Sequence, residues 1–511
     1  MKRIGIDVGG TNTDAVLIGD KSILESIKSP TTEDVMSGVV AALAAVAKDN
    51  ADEIGAVMIG TTHFTNAVIE RAKLERIAVI RIAMPAAASL PPGADWPKDL
   101  LEVVDPMIFM VKGGHEYDGR PLVPLDTDAI KEAAARIRDA GIQSVAIVGL
   151  FSPLTSECED IAADILTQII PDVQITRSSR LGRIGLLERE NVAMLNAALK
   201  ACGRKTIDAF KSALQQAGIS APFYLTQNDG TVVLADVAAT SPVYSFASGP
   251  TNSMRGAAWL TGLENAMVAD VGGTTTDIGS LVDGFPREAN SVVTVGGVRT
   301  LFRMPDLLPI GLGGGTIVDP DAGTIGPKSV GYRITREALV FGGQTVTATD
   351  LAVASGRADI GDKSLVKHLD QSFVSDLMKT SDMMIEESVD RMKVSADKVS
   401  LIAVGGGSFL IPDRIKGVAE VHHVEHAGIA NALGAAMAQV SGEVDQVFAG
   451  LGRDAAMAEA ESIAVARAVE AGAIADSIKT IEIEDLPLAY LKGDSRRVRV
   501  RVVGDIQHDL G

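Results

Sequence analysis

Cysteine is nearly absent. Cys158 and Cys202 are the only two in 511 residues. That excludes a disulfide framework and a cysteine zinc site, makes both expected buried thiols, and suits a reducing cytoplasm, the compartment expected. Aromatic residues are 4% of the chain. Positive charge is also short: 47 Lys and Arg stand against 66 Asp and Glu, a net charge of −19. Such a surface repels nucleic acid and anionic membranes, so neither is an expected partner. No apolar run reaches the roughly 18–20 residues that span a bilayer. The opening MKRIGIDVGG has no apolar stretch of the signal-peptide kind.

What is present is a large apolar fraction, 46% of residues, in a chain too long for one compact core. Two or more domains are the default. Residues 7–14 read DVGGTNTD and residues 270–277 read DVGGTTTD. They differ only at Asn12 against Thr275. A repeat on this scale signals duplicated units rather than a solenoid.

Each copy follows a short apolar run that reads as a buried strand and precedes another. The string is therefore a strand-to-strand turn. Paired glycines, Gly9–Gly10 and Gly272–Gly273, let the backbone approach anionic oxygens and present N–H groups to them. Thr11, Thr13, Thr274 and Thr276 add hydroxyls. Asp7 and Asp270, at strand ends, suit a magnesium ion, which takes few carboxylates and keeps waters and phosphates. Asp14 and Asp277 close the repeats, to cap the turn or orient a nucleophile. Two opposed turns of this kind bracket a triphosphate. The P-loop string GxxxxGK[ST] is absent, as is a GxGxxG in a βαβ unit.

Residues 1–83 read β-β-β-α-β-α-β, a hairpin meander followed by crossovers, which implies a mixed sheet with helices on its faces. Residues 84–143, rich in Pro and Gly, read as an insertion. Residues 144–200 return to strand and helix and complete the first half. A long helix from Arg183 onward is expected to break at Gly203. Residues 201–440 form the second half, and 441–511 a C-terminal extension of helix and strands, the last two as an edge hairpin.

Two such turns on duplicated halves resemble the sugar kinase, actin and chaperone ATPase superfamily. More narrowly, the chain is similar to the hydantoinase A / 5-oxoprolinase family, which includes acetone carboxylase β-type subunits. The stretches that carry this are IGIDVGGTNTD, IGTTHFTNAVIER, LLERENVAMLNAAL, SGPTNSMRGAA, VADVGGTTTDIG, GLGGGTI and LIAVGGG, in family order across residues 2–440. The chain departs from the family in ending at Gly511, without the further C-terminal domain of longer members, and in reading QNDGT at 227–231 where QSDGG is usual. The resemblance implies an α/β fold of two duplicated actin-like (ribonuclease H-like) domains, mixed sheets flanked by helices, with an inserted subdomain. It implies ATP and Mg²⁺, with nucleotide contacts at Gly9, Gly10, Thr11, Asn12, Thr13, Gly272, Gly273, Thr274 and Thr275. A third turn at Gly405, Gly406 and Gly407 serves the adenosine.

Asp7, Asp229, Asp270 and Asp277 are the candidate catalytic residues, Asp7 and Asp270 doubling as metal ligands. Thr61, Thr62, Asn66 and Arg189 are candidates for substrate contact. His422, His423 and His426 are close in sequence, but adjacent strand residues point apart. The expected activity is ATP-dependent hydrolysis of a small cyclic amide (a hydantoin, oxoproline or lactam) through phosphorylation of its carbonyl oxygen. A second hydantoinase-type subunit is the implied partner, with a homodimer left open. Two alternatives remain at this level: a small-molecule kinase of the same fold, and a non-catalytic nucleotide-gated binding protein.

Overall fold

The structure, a computed structural model, describes residues 2–506 except 10–11, 20–21, 31–34, 182–183, 290–292, 302–303, 321 and 489–493. Gly10 and Thr11 of the first turn therefore lie outside the described residues.

The chain opens with β1 (Lys2–Val8), β2 (Asn12–Gly19) and β3 (Ser22–Pro30), an antiparallel meander. Helix α1 (Val35–Ala47) leads to β4 (Ile54–Thr61), which returns parallel to β1. β1, β2 and β4 are buried almost without alternation because both faces are covered, while β3, at the sheet edge, alternates exposed and half-buried residues. Ile4, Ile6, Ala15 and Leu17 join one core, while Val16 and Ile18 pack on the other face against Ile429 and Leu433.

After α2 (His63–Ile69) the chain leaves this sheet. The strand β5 (Ile77–Met84), expected to close the first half, pairs instead in a separate four-stranded sheet with β6 (Met107–Lys112), β7 (Ser144–Gly149) and β8 (Gln174–Arg177). α3 (Lys98–Val104) packs Leu100 and Val104 into the first core, while α4 (Thr127–Asp139) and α5 (Glu157–Ile169) give this unit a core of its own. The insertion thus reaches well beyond 84–143 on both sides. A buried strand carries no mark of which sheet it joins.

Helix α6 (Leu186–Gln216) runs unbroken through Gly203. A glycine costs only about 1 kcal/mol in a helix interior, and Pro242 and the Ala239 carbonyl stand 3.4–3.5 Å from where its Cβ would be. Packing holds the helix straight there. Next, β9 (Phe223–Thr226) and β10 (Val232–Leu234) complete the first sheet, β9 parallel to β4, although they lie in the stretch expected to build the second half. Helices α7 (Ala235–Thr240) and α8 (Ser248–Thr261) follow.

The second sheet repeats the first. β11 (Ala266–Val271) and β12 (Thr276–Val282) are antiparallel. β13 (Phe285–Pro286), the hairpin β14 (Val293–Val295) and β15 (Val298–Thr300), β16 (Leu307–Ile310), and the hairpin β17 (Thr316–Asp319) and β18 (Thr324–Ser329) come next. Helices α9 (Ile334–Glu337), α10 (Ala348–Ala354) and α11 (Gln371–Met392) lead to β19 (Val399–Val404), parallel to β11 as β4 is to β1, and then to β20 (Val418–His423). Helix α12 (Ala430–Met437) crosses back to the first sheet and packs on β1, β2 and β4. Finally β21 (Val440–Phe448), α13 (Arg453–Glu470) and the edge hairpin β22 (Lys479–Pro487) and β23 (Arg496–Gly504) extend the first sheet to nine strands. The result is mixed sheets flanked by helices, in two halves of like topology.

Candidate functional site

The sequence repeat is a structural repeat. Gly9 N–H donates to the Asn12 carbonyl at 3.0 Å, and Gly272 N–H to the Thr275 carbonyl at 2.9 Å. In both copies the first and last aspartates are direct cross-strand partners: Asp7 faces Asp14, and Asp270 faces Asp277. Like charges directly opposite each other on a sheet are unfavourable. Two such pairs, largely buried, are a cost that a proton, a cation or a bound ligand offsets.

Electrostatics joins the two pairs. Burial first, then the charges of Asp14 and Asp270, push the Asp7 carboxyl up to about 7, with a hydrogen bond from Asn431 working against the rise. Burial and the charge of Asp270 take Asp277 to about 7 as well. Asp14 and Asp270 are also raised, chiefly by burial. Contacts bring the two turns together around one crevice: Lys28 bonds Asp14 and its Cε lies 4.0 Å from where a Cβ on Gly406 would be, next to Gly405, which stands against Asp270. Oδ1 of Asp7 and Oδ1 of Asp14 are buried without a hydrogen-bond partner among the described residues. Gly60 makes the approach to Asp7 possible: a Cβ there would stand 2.7 Å from Oδ1 of Asp7 and 2.6 Å from the amide of Asn252.

Two helices carry polar groups into this crevice, α8 with Asn252 and Ser253, and α12 with Asn431. They cross at backbone contact, since a Cβ on Gly434 would lie 1.8 Å from the Asn252 carbonyl. Asn431 Nδ2 donates to Asp7 Oδ2 at 2.8 Å. Asn252 Nδ2 donates to Thr226 at 3.1 Å, leaving its Oδ1 buried and unpartnered, and Ser253 bonds Asp270. Sequence reading quoted the segment of Asn252 and Ser253 but assigned none of these residues; for Asn431 the signal was a lone amide in the otherwise apolar helix ANALGAAM.

The third turn joins the same place. Gly407 N–H donates to the Val271 carbonyl at 2.8 Å, and a Cβ on Gly405 would lie 2.4 Å from Asp270 Oδ1. The GLGGGTI loop, not among the expected site residues, lies on the second turn, with Gly314 N–H to the Gly272 carbonyl at 3.0 Å and Gly315 N–H to the Gly273 carbonyl at 2.7 Å. Of the expected threonines, Thr276 is occupied with the Leu312 carbonyl, Thr13 is buried without a partner, and Thr274 and Thr275 are exposed at the turn. Lys28, also unforeseen, reaches in from β3 and bonds Asp14 at 2.8 Å and the Gly428 carbonyl at 2.9 Å. Asp7 and Asp14, with their orphaned oxygens, suit a hydrated magnesium ion met through its waters, since no three carboxylates among the described residues close on a common point.

The expected substrate contacts divide. Thr61 ends β4 as the ladder partner of Val8 and shares a hydrogen bond with His63 Nδ1 at 2.5 Å. Asn66 donates to Thr62 at 3.3 Å on the next turn of α2. Arg189 does not face the crevice. It is fully buried and bonds Ser178, the carbonyls of Ile184 and Gly185, and that of Gly149. Its neighbour Glu190 makes a buried ion pair with Arg81. The charge run at the start of α6 thus clamps the four-stranded unit to the helix, and a substrate role for Arg189 is set aside.

Asp229 stands apart from the other aspartates, beyond the end of β9. It accepts from the Thr231 backbone and hydroxyl at 3.0 and 2.6 Å. It lines a cavity of about 340 Å³ with Gln227, Asn228, Tyr244, Glu443 and Arg467. Asn228 Nδ2 is buried there without a partner. Thr251 accounts for the proximity of cavity and crevice: it bonds the Asn228 carbonyl at 3.1 Å, next to Asn252. His422, His423 and His426 pair with separate carboxylates, and among the described residues no three His, Cys, Asp or Glu side chains converge on a metal site. None of the described helices is long and apolar enough to cross a membrane.

Comparison with known proteins agrees with this geometry. Acetophenone carboxylase gamma subunit of Aromatoleum aromaticum is 26% identical over 70% of this chain and 53% of its own length. Caprolactamase subunit alpha of Pseudomonas jessenii is 25% identical over 69% of this chain and 54% of its own. The chain thus spans about half the length of these curated relatives. Among solved structures, the ATP-dependent caprolactamase of Pseudomonas jessenii superposes with a TM-score of 0.76 at 18% identity. Nucleotide-free acetone carboxylase does so with 0.69 at 17%. Each match covers 99% of this chain and 88% of the other, and they establish a shared fold. The hydantoinase/oxoprolinase N-terminal region matches residues 3–170 and the hydantoinase/oxoprolinase domain residues 189–362, and the chain belongs to that family.

Proposed function

We propose that the chain binds Mg²⁺-ATP between its two glycine turns and uses it to open a small cyclic amide. The observation that carries the reading is the pair of aspartate–glycine turns with the same register and the same turn hydrogen bond, linked through Lys28 and the Gly405–Gly407 turn. The N–H groups of the two turns beyond those of Gly9 and Gly272, which close the turns, line the phosphates, and Gly405–Gly407 lies along the nucleoside. Asp7, Asp14 and Asp270 would hold a magnesium ion through its coordinated waters rather than as a closed three-carboxylate site, and the ion would supply charge neutralisation at the phosphates. Asp277, opposite Asp270, orients the attacking group. The substrate occupies the cavity beside Asp229, where the orphaned Asn228 amide donates to a carbonyl and Asp229 accepts from an N–H.

The amide oxygen attacks the γ-phosphorus as the bond to ADP breaks, and the nitrogen gives up its proton. Water adds at the activated carbon, the carbon–nitrogen bond breaks to leave an acyl phosphate, and a second water releases phosphate. The chain's part is positioning and electrostatic stabilisation, which is most of what phosphoryl transfer needs. Its relatives are named as subunits, which supports a partner that completes the reaction.

Phosphate release from purified protein with Mg²⁺-ATP and a panel of lactams, hydantoins and oxoproline, with and without partner subunits, tests the reading. ADP, phosphate and ring-opened acid appearing together support it. A stable phosphorylated product means a kinase, and ATP turnover stimulated only by another protein means a nucleotide-gated binding protein.

A further inference from the structure

On the face that carries the paired aspartates, ladder partners run in a row across the first sheet: Gly60, Asp7, Asp14, Lys28. The matching row of the second sheet reads Val404, Asp270, Asp277, Pro309. The two repeats thus differ in one respect. The first carries a cation at its end and the second does not, although Lys28 is felt by Asp7, Asp14 and Asp270 alike.

Lys28 also bridges the crevice. Its ammonium holds Asp14 on its own sheet and the Gly428 carbonyl ahead of α12, and its stem rests on Gly406 of the third turn, whose Cβ would lie 4.0 Å from Cε. The side chain is 39% exposed, its Asp14 partner only 4%. The carboxylate is therefore fixed, while the ammonium, on a flexible four-carbon stem, is free to turn.

We infer that Lys28 is the residue that distinguishes phosphate chain length in this crevice. It exchanges its bonds to Asp14 and the Gly428 carbonyl for the β- and γ-phosphates of the nucleotide. The exchange frees Asp14, whose other oxygen is already without a partner, for the magnesium ion. It also transfers the link between β3 and the Ala427–Ile429 turn from a direct bond to one through the nucleotide. This inference rests on the nucleotide reading above.

Calorimetric titration of the full chain with Mg²⁺-ATP, Mg²⁺-ADP and AMP tests it. Relative to wild type, Lys28→Met is expected to bind Mg²⁺-ATP about 10- to 100-fold more weakly, the loss expected for one charge-assisted bond. AMP should stay within about twofold, and Lys28→Arg should recover most of the ATP affinity. Because Lys28→Met strands a buried carboxylate, the double variant Lys28→Met with Asp14→Asn is measured beside Asp14→Asn alone and should bind Mg²⁺-ATP about 10-fold or more weakly than that single variant, with AMP unchanged. Equal weakening toward AMP, or ATP binding undiminished in Lys28→Met relative to wild type and in the double variant relative to Asp14→Asn, overturns the inference. If wild type binds neither ATP nor ADP, the nucleotide reading itself fails, which the wild-type titration alone reveals.

Discussion

Asn431 Nδ2 donates to Asp7 Oδ2 at 2.8 Å across 424 positions of sequence. It ties the helix that crosses back from the second half to the first strand of the first half, and it opposes the burial that raises the Asp7 pKa. Asn431→Ala removes that opposition. The Asp7 carboxyl then titrates higher still, and Mg²⁺-dependent nucleotide affinity measured against pH shifts its midpoint upward from about 7. An unshifted midpoint would mean that Asp7 does not control metal binding.

Asp7 also sets a stability trend. Its folded pKa, about 7, lies above the ordinary aspartate value of 3.8. The folded protein therefore holds the proton more tightly than the unfolded chain. The stability this gives is complete below about pH 4 and lost as pH rises to about 7, with a full span of roughly 4 kcal/mol. Asp277 adds a like trend. Denaturant titrations of Asp7→Asn between pH 4 and 8 without Mg²⁺ should show a flatter profile than wild type and greater stability at pH 8.

Gly434 permits α12 to touch α8. With a Cβ 1.8 Å from the Asn252 carbonyl, Gly434→Ala must separate the helices that hold Asn252 and Asn431. The expected cost is about 2 kcal/mol or more, seen as a lower Tm. Nucleotide affinity falls too, because both amides move away from Asp7.

Arg189 makes the opposite separation. Arg189→Ala leaves buried carbonyls and Ser178 without their donor, which costs about 3 kcal/mol or more. The Tm should drop, while folded protein at low temperature keeps its Mg²⁺-ATP affinity. A selective loss of substrate affinity without a fall in Tm would restore Arg189 to the substrate site.

Much of this was legible in the sequence. Strand and turn at both repeats could be read because a buried strand ending in paired glycines and an aspartate has few structural uses, and the second copy confirmed the first. The extent of the inserted unit was not legible. Ile77–Met84 is as apolar as β1 or β4, and which sheet a strand joins depends on contacts distant in sequence. Arg189 was misread for a related reason: a charged run on a helix has the same pattern whether it faces a ligand or clamps a neighbouring unit. Lys28 and Asn431 escaped because their significance lies in cross-strand register and in contacts spanning hundreds of residues.

The most direct test of the central claim is Mg²⁺-ATP affinity, by calorimetry at pH 8, in wild type, Asp7→Asn and Asp270→Asn. If both repeats grip one magnesium nucleotide, each single variant loses at least about tenfold, the scale of one charge-assisted contact, and retains a cooperative fold. Wild-type affinity in either variant would show that only one turn meets the nucleotide and would contradict the account.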